Sequence, residues 1–217
     1  MPLKNSLNTT DDALKRRRKP VQARATGTVM LIFEAAAQII QSQGLEAFTT
    51  NHVAQKAGVS IGSLYQYFPN KEALLIAMAE HQMQQVAQDI RKAVQRCQGD
   101  LALDLELEVV RTLFAKLGTH YRVRHILCDF VIRVGRGDIL QAPLTEADQV
   151  LQEQGLALRP IERFVLASAV QGIIRNVTRD KSSWLKDPDL PLEVASLMKA
   201  YRGSVAATLK ASVKIPF

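Results

Sequence analysis

A chain of 217 residues, 47% of them hydrophobic and 23% charged, has enough apolar content for one large globular domain or for a small domain joined to a medium one. No apolar run reaches the ~18 residues a membrane span needs, and the polar, basic start lacks the apolar stretch of a secretory signal, so the expected compartment is the cytoplasm. The net charge of +7 favours an anionic partner without choosing between nucleic acid, a membrane surface and plain solubility.

The placement of that charge says more. Residues 1–72 hold nine Lys and Arg against five Asp and Glu, and six of the nine fall between Lys15 and Arg24 with no acid among them. The remainder of the chain is nearly balanced.

In chain order, residues 1–22 are polar, contain Pro2 and Pro20 and show no helical period, which predicts a disordered arm ending in Lys15-Arg16-Arg17-Arg18-Lys19. From Ala23 the apolar residues Val29, Ile32, Phe33, Ala36, Ile39 and Ile40 recur at helical spacing, and Gly44 supplies a stop. Thr49-Thr50 offers an N-cap to a short helix with Val53, Ala54 and Ala57 on its inner face, closed by Gly58. Ser60 caps a third helix that Pro69 ends near Phe68, and Asn70 caps a long fourth one from Lys71 to about Gln98. Its apolar stripe is Leu75, Ala79, Val86, Ile90, Ala93 and Cys97. Further helical segments are predicted near 101–117, 120–134, 143–154, 160–179 and 189–212, with no strand and no internal repeat.

Two short helices joined through Gly-Val-Ser form the pattern of a helix-turn-helix. Gly58 permits the left-handed backbone of the turn, and Val59 plugs the space between the helices. On the second short helix Ser60, Gly62, Ser63 and Gln66 keep one face low and polar, while Leu64 and Phe68 share the opposite face at i and i+4. Such a low face fits a major groove. Tyr65 and Tyr67 carry hydroxyls able to donate to phosphate oxygens, with half-buried packing as the competing reading, more so for Tyr67. Lys71 sits in a first helical turn, where the macrodipole disfavours a cation unless a phosphate lies nearby.

The run Thr49-Thr50-Asn51-His52-Val53-Ala54-Gln55-Lys56-Ala57-Gly58-Val59-Ser60-Ile61-Gly62-Ser63-Leu64-Tyr65-Gln66-Tyr67-Phe68-Pro69-Asn70-Lys71-Glu72-Ala73-Leu74 strongly resembles the TetR (tetracycline repressor) family, over about 50 residues once the first helix is included. The resemblance implies an all-α fold, with an N-terminal helix-turn-helix domain over 23–74 and a larger helical effector-binding and dimerisation domain over 75–217. By the same resemblance Thr50 and Asn51 meet phosphate and groove. Ile61, Gly62 and Ser63 face the base edges, with Ser60 beside them among the expected DNA-binding residues, and Tyr65, Tyr67 and Lys71 clamp the backbone. None of Ile61, Gly62 and Ser63 can make a bidentate Arg-guanine or Asn-adenine pair, so thymine methyl contacts, Asn51 and DNA shape are left to supply sequence choice. The basic run 15–19 has two open readings, a solvated tail or an arm along the backbone or minor groove.

Beyond residue 75 there is no HExxH, phosphate loop, GxSxG elbow or Gly-rich dinucleotide turn, so no enzyme activity, metal or cofactor is expected. Cys97 and Cys128, without a CxxC pair or a nearby histidine at zinc-ligand spacing, read as buried thiols. The last two segments are long and amphipathic, carrying Phe164, Val165, Ala169, Ile173 and Ile174 on one, and Val194, Leu197, Met198, Tyr201, Val205 and Leu209 on the other. The resemblance implies that they pair with their symmetry mates in a homodimer, and that an apolar pocket takes an unidentified small-molecule effector. Large or polar candidates for its lining are Phe114, His120, Tyr121, His125, Phe130, Asn176 and Trp184, each with ordinary packing as the alternative. Arg122, Arg124, Arg133 and Arg136 interleave with Asp129 and Asp138 and leave the effector unnamed.

The expected function is a ligand-responsive repressor of a near-palindromic double-stranded operator. A basic architectural DNA-binding protein, or a helical small-molecule or lipid carrier, are the alternatives.

Overall fold

The computed structural model describes residues 23–97, 104–118, 121–179 and 183–212. Among these the chain is all-α, with no strand. The helices are α1 (Ala23–Gln43), α2 (Thr50–Ala57), α3 (Ile61–Tyr67), α4 (Lys71–Arg96), α5 (Leu105–Gly118), α6 (Tyr121–Arg133), α7 (Ala142–Glu153), α8 (Pro160–Arg179) and α9 (Leu190–Ser212), with 3₁₀ turns at Gly137–Gln141 and Ser183–Lys186. The basic arm lies outside the described residues.

Local chemistry sets the helix ends of the N-terminal region. Thr49 Oγ1 accepts from His52 N at 3.1 Å, Ser60 Oγ from Ser63 N at 3.0 Å and Asn70 Oδ1 from Ala73 N at 2.7 Å, so three successive helices have a side chain satisfying an otherwise orphan N–H. Gly58 closes α2 at φ +68°, and Val59 N donates back to the Ala54 carbonyl at 3.0 Å.

The chain packs as two units. The first joins the described residues up to Gln82 with Arg122–Leu140. Its core contains Ile32, Ile39 and Ile40 of α1, Phe48, Val53 of α2, Leu64 of α3, Phe68, and Leu74 and Leu75 of α4, all without exposed surface. Phe33 stacks near Phe68 at 5.7 Å and near His81 at 5.3 Å between centroids. Arg122 in the first turn of α6 donates from Nη1 to the Gln41 carbonyl in the last turn of α1 at 2.9 Å, and Arg136 pairs with Glu80 of α4 at 3.3 Å.

The second unit holds residues 83–121 and 141–217, as far as they are described. Its core is Val86, Ile90 and Val94 from the later part of α4, Val109, Val110, Leu113 and Phe114 from α5, Val150 and Leu151 from α7, Leu166, Val170 and Val177 from α8, and Val194 and Met198 from α9. Within it Glu106 is 5% exposed, and the Nε of Arg202 lies 2.6 Å from its carboxylate, too poorly aligned for a hydrogen bond but close enough for an ion pair. Burial, outweighing the attraction of Arg202, pushes the Glu106 carboxyl above its ordinary range. Removing one member of such a pair leaves the other charge uncompensated. Glu106→Leu is therefore expected to lower stability by about 3 kcal/mol, and the double variant Glu106→Leu/Arg202→Leu to recover most of that loss. Denaturant titration of the two proteins checks the ordering; a double variant as unstable as the single one contradicts it.

Candidate nucleic-acid interface

The turn between α2 and α3 presents a surface with two different faces. Leu64 and Phe68 have no exposed surface, whereas Ser60, Gly62 and Gln66 are exposed and Ile61 keeps 37% of its accessible area. The split follows helix periodicity, since positions 64 and 68 fall on one side and 62 and 66 on the other. Ser63 is half-buried, its hydroxyl 2.8 Å from that of Ser60, so the N-cap residue and its third neighbour form one polar cluster at the start of α3.

The two short helices are held in register by a side-chain bond. Thr50 Oγ1 and the Tyr65 hydroxyl share a hydrogen bond of 3.1 Å, which ties the first turn of α2 to the middle of α3. Tyr65 remains 40% exposed, and Asn51 projects from α2 as an exposed polar residue beside this bond. Tyr67 is half-buried with its ring 6.3 Å from that of Phe68.

Lys71 differs from what its position in the sequence implies. A cation in the first turn of a helix has no favourable partner in that helix, yet Lys71 Nζ donates to the Leu45 carbonyl at 3.3 Å and lies 5.6 Å over the Phe48 ring. The loop after α1 thus supplies partners that no nearby sequence position reveals. Exposed Gln55 and Lys56 on α2 add polar and basic groups to this region that helix patterning alone did not single out.

These features match known proteins in the same stretch. Residues 32–78 fit the family model of bacterial regulatory proteins, tetR family. This stretch is a TetR-type helix-turn-helix domain. The fatty acid metabolism regulator protein of Bacillus subtilis (strain 168) is 38% identical over 56 residues, 26% of this chain and 29% of that protein. An uncharacterised HTH-type transcriptional regulator, YvkB, from the same organism is 32% identical over 74 residues, 34% of this chain and 37% of the relative. The matched stretches therefore span well under half of those relatives, and this TetR-type likeness in sequence is confined to the N-terminal part.

The likeness in fold reaches further. The multidrug binding protein EbrR, solved with imidazole, superposes with a TM-score of 0.61 at 18% identity, covering 80% of this chain and 93% of that one. The transcriptional regulator FadR of Bacillus subtilis, solved with stearoyl-CoA, gives 0.58 at 22% identity over 79% and 96%. The helical region after the TetR-type domain therefore has the same fold as in these proteins.

The residues expected to line an effector pocket are scattered. Phe114 lies in the core of the second unit, Asn176 is exposed on α8, and Trp184 in a 3₁₀ turn is 62% exposed. Phe130 is buried in the first unit, where half-buried His125 lies 3.5 Å from Asp129. Tyr121 opens α6, and His120 lies outside the described residues. Of the candidates whose side chains are described, none borders the apolar crevice of the second unit, which lies among Val109, Val110 and Leu113 of α5, Leu151 of α7, Leu166 of α8 and Met198 of α9. That crevice is small, with a cavity volume of about 50 Å³. Both cysteines are free thiols, and burial raises that of Cys128 to about 11.

No described helix is long and apolar enough to cross a membrane.

Proposed function

We propose that the protein is a sequence-specific transcriptional regulator, a homodimeric repressor that leaves a near-palindromic operator when a small-molecule effector binds. The observation that carries this reading is the two-faced α3: Leu64 and Phe68 anchor it in the core, while the low face at Ser60, Ile61, Gly62 and Ser63 is free to enter a major groove. In this reading Thr50 and Asn51 meet phosphate and groove edge, and Tyr65, Tyr67 and Lys71 hold the backbone and so set register. The reading head is the 23–74 segment. The effector and dimer functions belong to residues 75–217, with Phe114, His120, Tyr121, His125, Phe130, Asn176 and Trp184 as effector candidates.

A dimer is supported by an apolar face that the single chain leaves uncovered. On α8, Ile161, Phe164 and Val165 are 61%, 67% and 43% exposed, and on α9 Leu192 and Leu197 are 40% and 45% exposed. Apolar side chains clustered in this way on two helices mark an association surface. Two reading heads related by a two-fold axis imply two half-sites, hence the near-palindrome. Small-molecule complexes of EbrR and FadR, the latter with stearoyl-CoA, support an effector for the helical region.

The test is recovery of genomic fragments on the purified protein, followed by titration of the enriched duplex at two salt concentrations. A near-palindromic fragment is expected to be enriched, with affinity falling steeply as salt rises and lost in Tyr65→Ala/Lys71→Ala. Uniform recovery of all fragments, unaffected by the substitutions, points instead to an architectural protein that binds DNA without choosing sequence.

A further inference from the structure

The first turn of α2 is tied at two points that flank one exposed residue. On one side Thr50 Oγ1 shares its 3.1 Å hydrogen bond with the Tyr65 hydroxyl of α3. On the other, the half-buried ring of His52 turns back past the N-cap, and its Nδ1 lies 3.2 Å from the Ala47 carbonyl in the loop after α1. Between them Asn51 stands exposed. The same loop is fixed at two further places: Phe48 has no exposed surface, and Lys71 Nζ donates to the Leu45 carbonyl.

A carbonyl oxygen only accepts, so the His52 contact puts a proton on Nδ1. In the neutral ring Nε2 is then an acceptor with nothing to offer a phosphate oxygen, and the ring bears on DNA through what it holds. What it holds is the entry to α2. Thr49 caps the helix by accepting from His52 N at 3.1 Å, and the His52 side chain returns to Ala47, two residues ahead of that cap. Backbone and side chain of one residue thus bind the incoming chain at two places. Fixing the loop fixes the direction in which α2 leaves it, and Asn51 inherits that direction. On α3, Ile61, Gly62 and Ser63 lack the groups for a bidentate contact with a base, so sequence choice leans on where the Asn51 carboxamide is held.

We propose that His52 is a positioning residue for operator recognition: through the Ala47 carbonyl it holds the first turn of α2 so that Asn51 meets one base edge. This rests on the regulator reading above and adds to it a residue outside the contacts assigned there. The tie is made before DNA arrives, so binding does not have to order the loop. The gain falls on the sequence-reading contact and not on the phosphate contacts that any duplex offers.

The full-length protein and its variants are titrated with the duplex enriched from genomic fragments and with a shuffled duplex of the same composition, at several salt concentrations. His52→Ala is expected to weaken operator binding about tenfold, with the shuffled duplex bound as before, the salt slope unchanged and the melting temperature within a few degrees. His52→Asn, whose amide nitrogen takes the place of Nδ1, is expected to restore most of the loss, whereas His52→Gln, whose amide nitrogen takes the place of Nε2, is not. Should the Ala variant not fold, the comparison of Asn with Gln carries the test. Because His52 acts through Asn51, the double variant Asn51→Ala/His52→Ala is expected to bind no more weakly than Asn51→Ala alone. Unchanged binding by His52→Ala, an equal loss on the shuffled duplex, additive losses in the double variant, or rescue by Gln and not by Asn overturns the proposal. So does a salt slope lowered by about one in His52→Ala, which marks a direct phosphate contact. A wild-type protein that does not distinguish operator from shuffled duplex counts against the regulator reading itself, whereas equal discrimination by wild type and His52→Ala removes only the role of His52.

Discussion

Replacing Phe164 by glutamate is expected to give a folded monomer whose affinity for an operator duplex falls about a hundredfold or more. Phe164 is 67% exposed, so its side chain contributes little to the fold of the single chain, and a glutamate there meets water without strain. In a symmetric dimer built on this face the position is buried twice, once in each protomer, and each copy brings an unpaired carboxylate into an apolar contact. Losing the dimer separates two half-site contacts that otherwise act as one binding event, which is why the expected change is large although no DNA-contacting residue is altered. Sedimentation velocity gives the oligomeric state and titration of the duplex gives the affinity. A Phe164→Glu protein that remains a dimer with unchanged melting temperature places the interface elsewhere than on α8 and α9.

The second large effect is expected at Gly62. A Cβ built there meets only Ser60 Oγ, at 3.9 Å, so the fold tolerates a side chain and Gly62→Glu is expected to melt within a few degrees of the unaltered protein. Its carboxylate extends from the exposed face of α3, where the duplex presents closely spaced phosphates and a groove edge. Repulsion and the desolvation of an unpaired carboxylate are together expected to lower operator affinity by about a hundredfold. Gly62→Ala, which adds bulk without charge, is expected to lose much less. A Glu variant that binds the operator as tightly as the unaltered protein removes α3 from the groove and with it the assignments of Ile61 and Ser63.

The N-terminal helices were legible from residue order because each of their signals acts within a few positions. Thr49 caps through the amide of His52, Ser60 through that of Ser63 and Asn70 through that of Ala73. Gly58 adopts the left-handed conformation its own lack of a Cβ makes inexpensive. The buried stripe of α4, Leu75 to Cys97, was readable for a related reason: its phase follows from helix geometry and needs no knowledge of a partner.

Other features depend on residues far apart in sequence. α8 is apolar on more than one side, and periodicity did not say that Leu166 and Val170 turn inward while Phe164 and Val165 stay exposed; the packing of α5 and α9 makes that choice. The lining candidates were selected by size and polarity rather than by helical phase, and Asn176 and Trp184 came out exposed. Lys71 finds its carbonyl 26 positions earlier at Leu45, and Arg122 reaches back 81 positions to Gln41. Among the interleaved charges of 122–138, Arg136 received two acids and Arg124 none. Caps, turns and stripes are set by interactions along the local backbone, so residue order determines them. The counter-charge a buried side chain meets is set by which helices pack together, and that is decided when the chain folds.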